Sequence, residues 1–278
     1  MRIGLIRSGA VFLAVVAAMV VSAQRAAPQG AAAPMLDIAG FRPGMGLQEA
    51  YNALKAYNPK VPPQAGEVVV PEISDKKLPY ALLLPEGPTP GVGEKIQLEI
   101  ALPPNQQVVW RVSRDMNFSR GSEPTVASLA AALRQKYGQE NPPEAQTIGN
   151  FSWIFDQRGQ LATPGSPLFN CWRLSSGPYG PGNLPNLNPP RYDPNAPPPL
   201  LQKLLPPAFA PCRSAIAAHA FIGTGADPRL AGVMRVSLTD LGLESRTWQA
   251  TYEQIAKVQG QQDKQNIEKA QQRPVPKL

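Results

Sequence analysis

At 278 residues the chain can bury a sizeable core, either as one large domain or as two small ones. Its apolar share of 43% is ordinary, but its 33 prolines are about twice the usual frequency. Charged residues make up 17%, and the net charge of +7 falls by two if Arg2 and Arg7 leave with a leader, so with no basic run among aromatics a nucleic-acid footprint is excluded.

The N-terminus reads as an export signal. Arg2 and Arg7 form a basic n-region, Ala10 to Val21 an apolar stretch, and Val21-Ser22-Ala23 a small-residue cleavage site. The apolar run is short for a membrane span, no cysteine stands near the cleavage site, and no later stretch could cross a bilayer as a helix. The expectation is a signal peptide over 1–23, with an uncleaved anchor as the alternative. Residues 24–36, rich in Ala, Pro and Gln, read as a flexible lead-in. Cys171 and Cys212 are the sole cysteine pair, and an oxidising compartment would join them. That bond would close a loop of about forty residues, for which chain entropy gives roughly 4 kcal/mol. Two buried free thiols are the alternative.

The first folded stretch is Asp37 to Asn58. A turn with Pro43, Gly44 and Gly46 leads into a helix whose apolar stripe is Leu47, Ala50, Tyr51, Leu54 and Tyr57. Gly46 stands at the N-cap, Glu49 three residues on can reach back to it, and Asn58-Pro59 ends the helix. Strand candidates follow at 67–71, 78–84, 95–102 and 107–114. In the last two, Ile96, Leu98 and Ile100 alternate with polar neighbours, and a turn at Pro103-Pro104-Asn105 leads to Val108, Trp110 and Val112.

A second helix carries Val126, Leu129, Ala130, Leu133 and Tyr137 on its buried face, with Ser122 as its cap, Pro124 in its first turn and Gly138 as its stop. Strands are expected at 151–155, at 168–174 around Cys171, at 214–222 and at 232–238. Between them, 175–211 holds 12 prolines and should leave the ladder as an extended excursion. Its leucines and Tyr192 make it a candidate partner-binding segment, against the alternative of a tolerated spacer. A last helix starts near Leu243, packs Trp248, Tyr252, Ile255 and Val258, and turns Gln- and Lys-rich past Gly260, where it should project into solvent.

Gly40-Phe41-Arg42-Pro43-Gly44-Met45 and Leu133-Arg134-Gln135-Lys136-Tyr137-Gly138, with Trp153 and Phe155 downstream, resemble a known group. It comprises the exported α+β modules of the β-lactamase-inhibitor proteins and of the small lipoproteins of outer-membrane assembly. The resemblance implies helices against a four-stranded antiparallel sheet, sometimes as tandem copies, acting by binding other proteins. This chain departs from the group in lacking the lipid-bearing cysteine and in carrying the proline-rich insertion. Lipid anchoring and partner identity are therefore not carried over.

Catalytic patterns are absent. His219 is the sole histidine and has no Gly-x-Ser-x-Gly elbow to serve, so it reads as a strand residue. One histidine and two bonded cysteines make no zinc site, and no phosphate loop surrounds Gly87, Gly91 and Gly93. Asp156 and Asp240 read as a turn residue and a helix cap, and Glu67, Glu94 and Glu99 have no partner acid fixed by sequence. Trp110, Trp153 and Trp172 read as core. No catalytic, cofactor or metal residue is named. The expected fold is α+β, with a first helix-plus-sheet unit over 37–118, a second over 119–240 with its insertion at 175–211, and a C-terminal helix and tail over 241–278. The expected function is an exported, non-enzymatic protein that binds another envelope or extracellular protein. The alternatives are an envelope hydrolase with an unfamiliar site and a passive envelope component.

Overall fold

A computed structural model of the chain describes residues 36–140, 149–171 and 207–272. The proposed leader, most of the lead-in, Trp172 and most of the proline-rich segment lie outside these residues. Among the described residues the fold is α+β, with helices packed on an antiparallel seven-stranded sheet. Helix α1 (Leu47–Tyr57) precedes β1 (Gln64–Val70), β2 (Ser74–Leu84), β3 (Val92–Ile100) and β4 (Val109–Phe118). Helix α2 (Val126–Tyr137) precedes β5 (Asn150–Asp156), β6 (Ala215–Thr224) and β7 (Ala231–Asp240), and α3 (Leu241–Gln271) ends the described fold.

Strand order is β1-β2-β3-β4-β7-β6-β5. The two helix-and-strand runs expected from sequence therefore share one sheet. Each is a meander, and the second is laid down in reverse, so that the last strand of each meets at the centre. That seam runs from Arg111 opposite Thr239 to Asn117 opposite Val233.

Strand alternation assigns the two faces. One face carries Leu98, Val112, Met116, Trp153, Val236 and Leu238, and α1 and α2 cover it through Ala50, Leu54, Ala130, Leu133 and Tyr137 in one continuous core. The opposite face carries two smaller clusters. Trp110, Ala101 and Val70 receive Trp248, Tyr252 and Ile255 of α3, with Trp110 edge-on to Trp248 at 6.4 Å. Ile154, Ala215, Ala217 and Leu241 surround the half-cystine pair.

The helix ends follow local chemistry. Glu49 Oε2 accepts the Gly46 amide at 3.4 Å, as its spacing predicts. In α2 the cap is Thr125, whose hydroxyl accepts the Ser128 amide at 3.0 Å, and not Ser122. Pro124 lies just outside the helix, and its carbonyl accepts the Ala231 amide, tying the helix start to β7. Gly138 stops α2 with φ of 86°, a left-handed value that a side chain would strain. Asp240 caps α3 by accepting the Leu243 amide at 2.8 Å. The helix keeps a packed face as far as Ile255, and residues 261–272 are exposed throughout.

Two expectations need correction. The stretch around Cys171 is a short 3-10 turn, Phe169–Cys171, and the second run has three strands in place of four. Turn bonds at Ser166 explain this: its carbonyl accepts the Phe169 amide and its hydroxyl the Leu168 amide, so the backbone closes on itself before any ladder can form. The end of the proline-rich segment is also not extended. Pro207–Ser214 forms a 3-10 helix that delivers Cys212 to its partner.

Candidate functional site

Two short helices leave a groove over the central seam. It is a cavity of about 210 Å³ between α2, the turn that precedes α1, and strands β4 and β7. Met234 and Val236 from β7 form its floor, Leu129 and Leu133 of α2 and Ile38 its apolar walls, and Arg114 and Lys136 its charged border. The turn wall is fixed by two backbone bonds between Ile38 and Phe41, a geometry that holds Ala39 at φ of 54°. An alanine pays for this left-handed backbone. The Tyr137 hydroxyl donates to the Asp37 carbonyl at 3.0 Å, closing the turn against α2. Burial, and then Asp37, push the Tyr137 phenol well above its ordinary value, so it remains a donor.

Arg114 is positioned from below by a buried acid. Its Nε donates to Glu94 Oε1 at 2.5 Å, and the Tyr57 hydroxyl donates to the same oxygen at 2.8 Å. The Glu94 side chain is 1% exposed, whereas that of Arg114 is 25% exposed. Glu94 Oε2 has no hydrogen-bond partner among the described residues. Burial first, and the Glu94 bond second, raise the Tyr57 phenol. A guanidinium has five N–H groups in a rigid fork. Here Nε serves Glu94 and Nη2 lies 3.4 Å from the Tyr57 oxygen, while Nη1 makes no bond among the described residues. Lys136 reaches Asp37 at 3.1 Å, but both side chains are partly exposed (42% and 29%), and such surface pairs are worth little. The groove thus joins an apolar floor to one cation anchored by a buried acid and one held by a partly exposed contact.

The opposite face holds a second polar cluster beneath α3. Glu99 and Arg111 are both buried, with 4.0 Å between their charged atoms, and Arg111 Nε is unpartnered among the described residues. Burial raises Glu99 against the pull of Arg111. Glu244, in the first turn of α3, is pushed up to about 7, chiefly by burial, with Glu99 and Asp240 adding to the shift and Arg111 opposing it. Thr247 Oγ1, Thr251 Oγ1 and the Tyr252 hydroxyl in this layer are likewise buried without partners among the described residues.

His219 lies on this face. It stands opposite Ser152 of β5 and Ser237 of β7 in the ladder, and burial, then Arg111, lower its basicity. No hydrogen bond among the described residues joins it to either serine. Asp156 is the expected turn residue, accepting the amides of Arg158 and Gln160. Trp110 and Trp153 are core side chains, and Trp153 Nε1 donates to the Gly138 carbonyl at 2.9 Å. Cys171 and Cys212 form the expected disulfide, both buried, with Cα atoms 5.6 Å apart. No three His, Cys, Asp or Glu side chains among the described residues are grouped to hold a metal ion.

Sequence reasoning missed the groove. Arg114 read as the end of a strand, and Lys136 entered only within the stretch that carries the family resemblance. The usable signal was Arg114 itself, which alternation places on the same face as Val112 and Met116, where a cation is out of pattern. Comparison with known proteins adds no constraint: no protein-family model, curated protein or solved structure matches the chain.

Proposed function

We propose that the chain is an exported, non-enzymatic protein that binds another protein through the groove over the central seam. The observation that carries this reading is the groove itself: an apolar cavity bordered by two cations, with no serine, threonine or cysteine among its lining residues. Fixed donors beside an apolar floor are what a binding pocket needs for orientation and affinity. Export is supported by the buried disulfide, since such bonds persist in oxidising compartments. No described helix is long and apolar enough to cross a membrane.

A hydrolase reading has one observation in its favour, the row Ser152–His219–Ser237 across three strands. It is the weaker reading, because the charge that acts on the imidazole is the Arg111 cation, where a triad needs a carboxylate to orient it.

The test is capture. The mature chain, immobilised and incubated with envelope and culture-medium extracts of its own organism, should retain a protein in stoichiometric amount, and the purified partner should bind in titration. Recovery of no protein, together with ester or amide turnover that His219→Ala abolishes, would overturn the binding reading.

A further inference from the structure

We propose that the groove recognises the C-terminal end of a polypeptide: an apolar last residue whose free carboxylate meets Arg114 and Lys136. This rests on the protein-binding reading above and names the chemistry of the partner segment.

Three features of the groove lead to this occupant. The first is its floor. Met234 and Val236 are only 8% and 5% exposed, and with Leu129, Leu133 and Ile38 they surround a space of about 210 Å³, enough for a branched apolar side chain and the backbone that carries it. The second is the set of unused donors. Glu94 fixes the guanidinium through Nε, so the Nη1 side is pre-oriented, and a planar fork suits the two oxygens of a carboxylate. Lys136 can leave a weak, partly exposed contact with Asp37 to add a second cation. Because Glu94 already balances the charge of Arg114, Lys136 supplies the charge a guest would meet, which suits a single carboxylate and not a polyanion.

The third feature is topology. The strands beneath, β4 and β7, are the two central strands, each paired on both sides. A guest cannot add to the sheet here, so the recurring edge-strand mode of peptide capture is closed and recognition has to come from a pocket and a terminus. A chain end also needs just one path out of the groove, whereas an internal acidic residue would bring flanking backbone on two sides.

The experiment titrates the full mature chain with a fluorescein-labelled peptide Ala-Ala-Ala-Leu-Val bearing a free C-terminus, with the same peptide as its C-terminal amide, and with octanoate as competitor. The free acid should bind at least tenfold more tightly than the amide, and its affinity should fall with added salt. Arg114→Gln should remove that preference, but it also strands buried Glu94 and can unfold the chain. Two surface changes on α2 avoid this problem. Ala132 lines the groove from α2, so Ala132→Trp should block it and abolish binding, and Lys136→Met should weaken the acid severalfold while leaving the amide unchanged. Equal binding of acid and amide, or peptide binding untouched by Ala132→Trp, would overturn the proposal. Octanoate binding without peptide binding would overturn it too, and would place a free carboxylate in the groove. If Ala132→Trp still captures the stoichiometric partner from extract, the groove fails as the binding site while protein binding by another surface stands.

Discussion

Replacing Glu244 by glutamine should change how stability depends on pH. In the native chain its carboxyl is pushed up to about 7 from an ordinary 4.5, mainly by burial at the start of α3, with Glu99 and Asp240 adding to the shift and Arg111 opposing it. A first-turn glutamate is normally favoured as an anion by the helix dipole, by about 0.3–1 kcal/mol. The distance from 4.5 to about 7 corresponds to about 3 kcal/mol the other way, so burial wins. That figure is a ceiling, because Glu244 keeps part of its surface in contact with water, which screens the charges it meets. A carboxyl that holds its proton more tightly in the native than in the unfolded chain favours the fold at low pH. Stability then falls as pH rises from 4.5 through about 7. His219 acts in the opposite sense: its lowered basicity gives stability above 6.5 that is lost as pH falls below it. The assay must therefore compare the two chains with each other. Urea midpoints for the native chain and Glu244→Gln, taken from pH 5 to 8, cancel the histidine and leave Glu244. The variant should lie within about 1 kcal/mol of the native chain near pH 5 and exceed it by about 1–3 kcal/mol at pH 8. A difference that stays constant across that range would refute the reasoning.

Three further outcomes can be measured. Gly87→Ala would drive a Cβ into the Glu94 carboxylate, already held by Tyr57 and Arg114, and should cost about 2 kcal/mol or more in denaturant unfolding. Cys171→Ser with Cys212→Ser should cost about 4 kcal/mol by chain entropy, and non-reduced peptide mapping of the native chain should show the two cysteines linked; full alkylation without reductant would end that claim. Ala39→Asn should raise the thermal midpoint, since asparagine accepts the left-handed backbone that alanine resists, by up to about 1 kcal/mol of stability.

Alternating and helical apolar patterns carried most of the fold. Ile96, Leu98 and Ile100 told a half-buried strand, and Ala50 and Leu54 or Leu133 and Tyr137 a packed helix face, because each is dictated by local period. Tyr51 fitted the same stripe yet stands 37% exposed, at the edge of the face that packs. The order of strands was not local. Nothing near Arg111 or Thr239 says that they meet, because the seam depends on both meanders presenting compatible edges. The groove was hidden for the same reason: Ile38, Arg114, Lys136 and Met234 come from four separate elements. Even the cap of α2 turned on one residue, as Thr125 and Ser122 carry similar chemistry and tertiary ties at Pro124 decided between them.

The reversed second meander also imposes an order of events on folding. During synthesis β4 is complete long before β7 exists, since residue 111 must wait for residue 239. Until then the first meander presents β4 as an open, sticky edge, with Val112 and Met116 on the face that α2 and β7 will later close. Any chain cut short ahead of Ala231 would keep that edge permanently. Such fragments should self-associate through β4, whereas the finished protein, with its central strands sealed on both sides, should not.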